Sequence, residues 1–119
     1  MPFTAGAKDL MLAELATVVT YLSAHTGPPG STGASEVTGG TYVRQPVTWG
    51  TPSGGAMAIT ASVTFDIPAS TTVVAIGLWS AETGGTFYGY YDCPDESFAA
   101  AGTWQITAGT IDLNAVASA

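Results

Sequence analysis

The sequence is short of charge, and the charge it has is nearly all of one sign. Charged residues make up 9% of the chain, against about 25% in an ordinary soluble domain. Nine are acidic and two, Lys8 and Arg44, are basic, for a formal net charge of −7. Such a surface repels phosphate and has too few cations to release counterions, which excludes nucleic acid as a partner. It offers anionic lipid no basic patch either. Cys93 is the lone cysteine, so no disulfide within the chain and no cysteine-rich metal site can be built. A single thiol suits folding in a reducing cytoplasm. His25 is the one histidine, so any Ser-His or Cys-His pair must use it. Long apolar runs are missing as well. Lys8 and Asp9 interrupt the stretch where a signal peptide would be unbroken, and no run approaches the roughly 20 residues of a membrane helix. Heptads and internal repeats are absent.

What remains is apolar and patterned. Hydrophobic residues form 46% of 119, a length that suits one domain over residues 1–119 and can bury roughly two-thirds of its extended surface. With so few charges the surface must be Thr, Ser, Gly and Ala, which suits burial in an assembly. Residues 4–17 read as a helix, with Thr4 as N-cap and a run of Ala, Leu and Met behind it. Met11, Leu15 and Val18 share a face, widened by Leu12 and Val19. The β-branched run 17–20 ends the helix and feeds a strand from Tyr21. Residues 26–41 are rich in Gly and Pro and cannot form regular structure. Loops of that size are usually functional or mobile. This one reads as a linker or as an arm to a neighbouring subunit, and removing residues 31–35 is expected to spare the fold.

Beyond Gly40 the period is two. Val43, Val47 and Trp49 alternate with Arg44, Pro46 and Thr48, placing Arg44 on the outer face. Were Arg44 buried instead, it would need a carboxylate partner. Further strands are expected over residues 57–60, 63–67, 73–79, 87–91, 104–108 and 111–113. A hairpin turn is expected at residues 82–85 and a polar loop at 92–96. Seven or eight short strands at this spacing specify an all-β fold, a small β-sandwich of jelly-roll or Ig-like type, with one short N-terminal α-helix.

The chain carries little that resembles catalysis. His25 has Ser23 and Thr26 beside it but no nucleophile elbow, and reads as a strand-end histidine bonded to backbone. Asp92, Asp95 and Glu96 could offer oxygen ligands to Ca²⁺, but without the EF-hand spacing they read as a solvated loop. Their charge would raise the Cys93 thiol pKa and blunt its reactivity. Trp49, Trp79 and Trp104 with Tyr88, Tyr90 and Tyr91 could stack on sugars. Their placement in phase on strands favours core or subunit interface. No enzyme activity and no cofactor are expected.

One resemblance adds to this reading. His25-Thr26-Gly27-Pro28-Pro29-Gly30, Glu36-Val37, Gly39-Gly40 and Tyr42-Val43-Arg44-Gln45 occur together and in order. They resemble a segment of small actinobacteriophage virion proteins commonly labelled tail fibre protein. Phe65 to Ala69, Ile76 to Ala81 and Gly84 to Gly89 are similar to that family's second half, so the likeness runs from about residue 5 to residue 113. It implies a structural protein on the surface of a phage particle, made in the host cytoplasm, with no catalytic residues. A compact chain without a repeating shaft suits a capsid decoration protein that stabilises the outside of the shell. The alternative is a tail or tail-tip, fibre-type subunit that binds a host surface glycan. The expected partners are copies of itself, as a homo-oligomer with the trimer favoured, and the major capsid protein or tail proteins. For the first role the candidate contact residues are Pro28, Pro29, Ser31, Thr32, Glu36 and Tyr42. For the second they are Trp79, Tyr88, Tyr90 and Trp104.

Overall fold

Helix α1 spans Ala5–Val18 and begins where the sequence supplies a cap: the Thr4 hydroxyl accepts a hydrogen bond from the Ala7 N–H at 3.1 Å. Here the protein is a computed structural model that describes residues 3–107 and 109–112. Leu12 is fully buried, and Leu15 and Val18 pack against the core. Met11, expected on that face, is 40% exposed and Leu10 is 75% exposed. The buried stripe is centred on Leu12, Leu15 and Val19, and Met11 falls at its margin. Asp9 ties the helix to the next layer by accepting from the Gly55 N–H at 2.8 Å.

The strands are β1 (Tyr21–His25), β2 (Gln45–Pro46), β3 (Ala56–Ala58), β4 (Val63–Ile67), β5 (Thr71–Trp79), β6 (Phe87–Phe98), β7 (Gly102–Ile106) and β8 (Thr110–Asp112). They make a four-stranded sheet in the order β2-β1-β5-β6 and two ribbons, β3-β8 and β4-β7. Every pairing is antiparallel. Three of them nest, β5-β6 inside β4-β7 inside β3-β8, so the second half of the chain is one long hairpin folded over itself. This is the expected β-rich fold with one short helix. Ala108, Leu113 and residues 115–119 of the sequence reading lie outside the described residues.

The core lies between the large sheet and the ribbons. Leu22, Ala24, Val73, Ile76 and Leu78 come from the sheet, and Val63, Phe65, Ile67 and Ile106 from the β4-β7 ribbon. In β4 the burial alternates strictly, Val63, Phe65 and Ile67 inward and Thr64 and Asp66 outward. Each large apolar side chain buried there contributes about 1.5–3 kcal/mol. In β5 the alternation fails: Ala75 to Trp79 are all buried, because both faces of this central strand are covered.

Three sequence expectations are corrected. The strand around residue 45 is only two residues long, pairing with Tyr21 and Leu22, with one further backbone bond past Pro46, from the Val47 N–H to Thr20 O at 3.0 Å. Residues 92–96, expected as a loop, continue β6. Pro94 is tolerated there because β6 is an edge strand. Residues 26–41 are neither linker nor free arm. The chain leaves β1, turns, and pairs back onto it, with Thr26 N–H donating to Ser35 O at 2.9 Å and Val37 N–H to Ala24 O at 2.9 Å. That return path lays the loop across the second face of the large sheet.

Candidate functional site

The covered face of the large sheet holds the densest polar chemistry in the molecule. Ser23 and His25 point to it from β1, and Gly77 and Trp79 from β5, in register as Ser23↔Gly77 and Tyr21↔Trp79. Gly77 is required there. A Cβ would overlap Ser23 Oγ and His25 Nε2, so the absent side chain makes room for the neighbouring strand's polar groups. The signal was present in the sequence as a glycine inside a strand.

The hydrogen bonds form one consistent chain. Trp79 Nε1–H donates to Ser23 Oγ at 2.8 Å. Ser23 Oγ lies 2.6 Å from His25 Nε2, and His25 Nδ1 lies 2.8 Å from Ala34 O. Ser23 has one proton to give, so it donates to Nε2, and a neutral imidazole with its proton on Nδ1 donates to the Ala34 carbonyl. Burial lowers the His25 pKa below its usual 6.5, opposed by the Ala34 hydrogen bond. His25 is thus the strand-end, backbone-bonded histidine that its position suggested. Ser23 and His25 are both fully buried, and the bond from His25 to Ala34 fastens the strand to the loop.

Above this lies the ion pair. Arg44 is 8% exposed, not outward as its alternation implied. Its Nε and Nη2 donate to the two carboxylate oxygens of Glu36, each at 2.9 Å. Nη1 donates to the carbonyls of Ala81 and Gly84 at 3.1 and 2.8 Å. The expected partner for a buried Arg44 is therefore present, across eight residues of sequence. Tyr42 completes the clasp: its hydroxyl donates to Glu36 at 2.9 Å and accepts from the Ala24 N–H at 2.9 Å. Burial first, then the Glu36 charge, pushes the Tyr42 hydroxyl pKa far above its usual value. An open hollow of about 400 Å³ beside the clasp is lined by Glu36, Tyr42, Arg44, Glu82 and Thr83.

The structure divides the candidate contact residues. Pro28, Ser31 and Thr32 are exposed, while Pro29 is fully buried. Glu36 and Tyr42 are half-buried and engaged inside the molecule, so half of that set faces inward. The four aromatic candidates do not form one surface. Trp79 is buried beneath Arg44 and packs on Phe87. Trp104 is half-buried in the β4-β7 ribbon and stacks on Phe65 with ring centroids 5.9 Å apart. Tyr88 and Tyr90 alone are exposed, at 44% and 42%.

Asp92, Asp95 and Glu96 are exposed along β6. Among the described residues no three His, Cys, Asp or Glu side chains converge as a metal set. Burial, then Asp92 and Asp95, raises the Cys93 thiol pKa. No helix among the described residues is long and apolar enough to cross a membrane.

A family model described as podophage GP4 fiber I protein gp80 matches residues 12–114. No curated protein and no solved structure matches the chain.

Proposed function

This chain belongs to the podophage GP4 fiber I protein gp80 family, and from that premise we propose that it is a structural, non-catalytic subunit of the fibre apparatus on the outside of a phage particle. The match over residues 12–114 carries the reading. The family is one of fibre proteins, and the chain is a virion structural protein of that type. Its polar groups agree with a mechanical role. Ser23, His25, Glu36 and Arg44 are engaged in fastening one loop to one sheet.

The chain is a building block and not a shaft. It measures 45 × 28 × 25 Å and has no repeat to lengthen it. The partners of this reading are copies of the chain, with a trimer favoured, and virion proteins. Nucleic acid and membrane are not among them, for want of cations. Binding of a host glycan at the fibre surface would fall to Tyr88 and Tyr90, since Trp79 is buried.

Capsid decoration is the second reading, and the compact outline favours it. The loop expected to reach the shell is folded onto its own sheet, which leaves Pro28, Ser31 and Thr32 as its contact residues. Cryo-electron microscopy of purified particles separates the two. Density for this domain confined to the tail supports the fibre role. Density repeated over the icosahedral shell establishes decoration and overturns it.

A further inference from the structure

Residues 27–35 form a flap over the second face of the large sheet. Gly27 opens it, and Ser35 closes it with φ of +63°, a left-handed conformation uncommon outside glycine. The Gly33 and Ala34 N–H groups both donate to Pro29 O at 3.0 Å, so the flap is folded as one piece. Beneath it lie the Trp79 and Phe87 rings, with centroids 5.2 Å apart, and a Cβ at Gly33 would meet both. Val37 belongs to the core and Tyr42 packs against it, but no residue of 27–35 does either. The flap can therefore lift without opening the core. Pro29 is fully buried, which makes the closed flap the resting state. Among the described residues, the hydrogen bond that ties 28–34 to the sheet runs from His25 Nδ1–H to Ala34 O.

His25 lies under this flap with its partners arranged for a neutral ring. Trp79 donates to Ser23, and Ser23 donates to Nε2. A proton added at Nε2 turns that acceptor into a donor. Ser23 Oγ would then receive two donors, and its own proton would lose its acceptor. No free counter-charge is at hand. Glu36 faces His25 across a β-bridge and favours the cation, but both its oxygens are bonded to Arg44, whose charge opposes it. Trp79 from β5 and Phe87 from β6 bring no charge. The Ala34 bond favours the imidazolium, and burial outweighs it. A buried cation so placed is costly, and water is the partner it lacks.

We propose that residues 27–35 are an acid-opened flap: His25 takes up a proton as the flap lifts, water replaces the flap around the ring, and Trp79 and Phe87 are uncovered. The sign follows from the two states. With the flap open the ring has its ordinary pKa of about 6.5, and with the flap closed it has a lower one. Above about pH 6.5 neither state is charged, and closure keeps its full advantage. Below it the open state gains up to about ten-fold per pH unit, until the closed ring titrates as well. This is a local opening, with the core between sheet and ribbons intact. It does not depend on which virion surface carries the chain.

Amide hydrogen exchange of the full chain, followed by NMR at about pH 7.5 and 5.5 and corrected for the intrinsic rate at each pH, tests this. The Thr26, Gly33 and Ala34 amides are expected to be less protected than those of β5. They should lose up to about ten-fold of that protection on acidification, at a rate that low urea leaves unchanged, because a local opening exposes little surface. In His25→Asn the acid effect should vanish, whatever the protection at pH 7.5. A second measurement needs no variant. The ¹⁵N shifts of the His25 ring should show Nε2 bare at pH 7.5 and protonated only in step with flap opening. Flap amides that exchange with the protection and urea dependence of β5 show no local opening and overturn the proposal. So does an acid effect that persists in His25→Asn, or a ring that protonates while the flap amides keep their protection.

Discussion

The guanidinium carbon of Arg44 sits 3.5 Å from the centroid of the Trp79 ring. Glu36 holds it there with two parallel hydrogen bonds, and together they clamp the Gly/Pro loop over the sheet. Removing one partner of a fully buried pair costs about 3–5 kcal/mol because the other charge is stranded. The Glu36 side chain is 22% exposed, so Glu36→Gln is expected to destabilise by about 2 kcal/mol. Arg44→Lys keeps the charge but loses the fork and is expected to cost nearly as much. Urea unfolding followed by tryptophan fluorescence checks both. Wild-type midpoints would show that the clasp contributes nothing.

His25 makes stability depend on pH. Its folded pKa is depressed by burial below the usual 6.5, so below that pH the unfolded chain takes a proton that the folded chain resists. Stability is full above about pH 6.5 and falls as the pH drops toward the folded pKa, by at most about 1.4 kcal/mol per pH unit for one proton. Melting temperatures between about pH 7.5 and 5.5, above the carboxylate range, should fall on acidification. The slope should vanish in His25→Asn. A slope that persists in that variant assigns it to other groups.

Much of this architecture was legible in the sequence. Thr4 with Ala7 and Leu12 gave a capped helix, and Val63, Phe65 and Ile67 gave a half-buried strand, because local propensity and burial agree at those positions. The clasp was not legible. Period two set Arg44 against Val43 and Val47, yet Val43 is 48% exposed and Arg44 buried, and the pattern cannot say that the face opposite the core is itself covered. That cover comes from residues 26–41, whose Gly and Pro content speaks against regular structure and says nothing of where the segment packs. Trp79, for which its phase on a strand favoured core or interface, is buried, and only the alternative glycan-binding role needed it exposed. The local signs that something lay over the sheet were Gly77 inside β5 and the unbroken apolar run around it.

The helix packs through Leu12 and not through its neighbours in sequence. Leu12→Ala is expected to cost about 3 kcal/mol, as for a fully buried leucine. Leu10, largely exposed, should tolerate Ser within about 0.5 kcal/mol. Leu15→Asp should unfold the domain, by forcing a charge against the core. Chemical denaturation of the three variants is the measurement. Equal, small effects would detach α1 from the core.

Tyr91 is a place where the sequence can be improved. Its hydroxyl is buried with no hydrogen-bond partner among the described residues, and burial, then Cys93, raises its pKa to about 12. An unsatisfied buried hydroxyl costs about 1–3 kcal/mol. Tyr91→Phe removes the group and keeps the ring, so a gain of about 1 kcal/mol is expected in thermal or urea unfolding. A clear loss of stability would mean that the hydroxyl has a partner in solution.

Deletion of residues 31–35 separates a loop that merely connects from one that completes the fold. The sequence reading had this segment dispensable, and the geometry reverses that expectation. Gly33 has φ of +77°, and a Cβ there would overlap the Trp79 ring. Ala34 supplies the carbonyl that His25 needs. Removing them uncovers Ser23, His25 and Trp79 together, leaving an imidazole without its acceptor and an indole without its cover. A loss of about 3 kcal/mol or more is expected, with altered tryptophan near-ultraviolet dichroism. Gly33→Ala should produce a milder version of the same change, through backbone strain and contact with the ring. An unaltered melt in the deletion would return the segment to the status of a linker and leave Arg44 and Glu36 to hold the face alone.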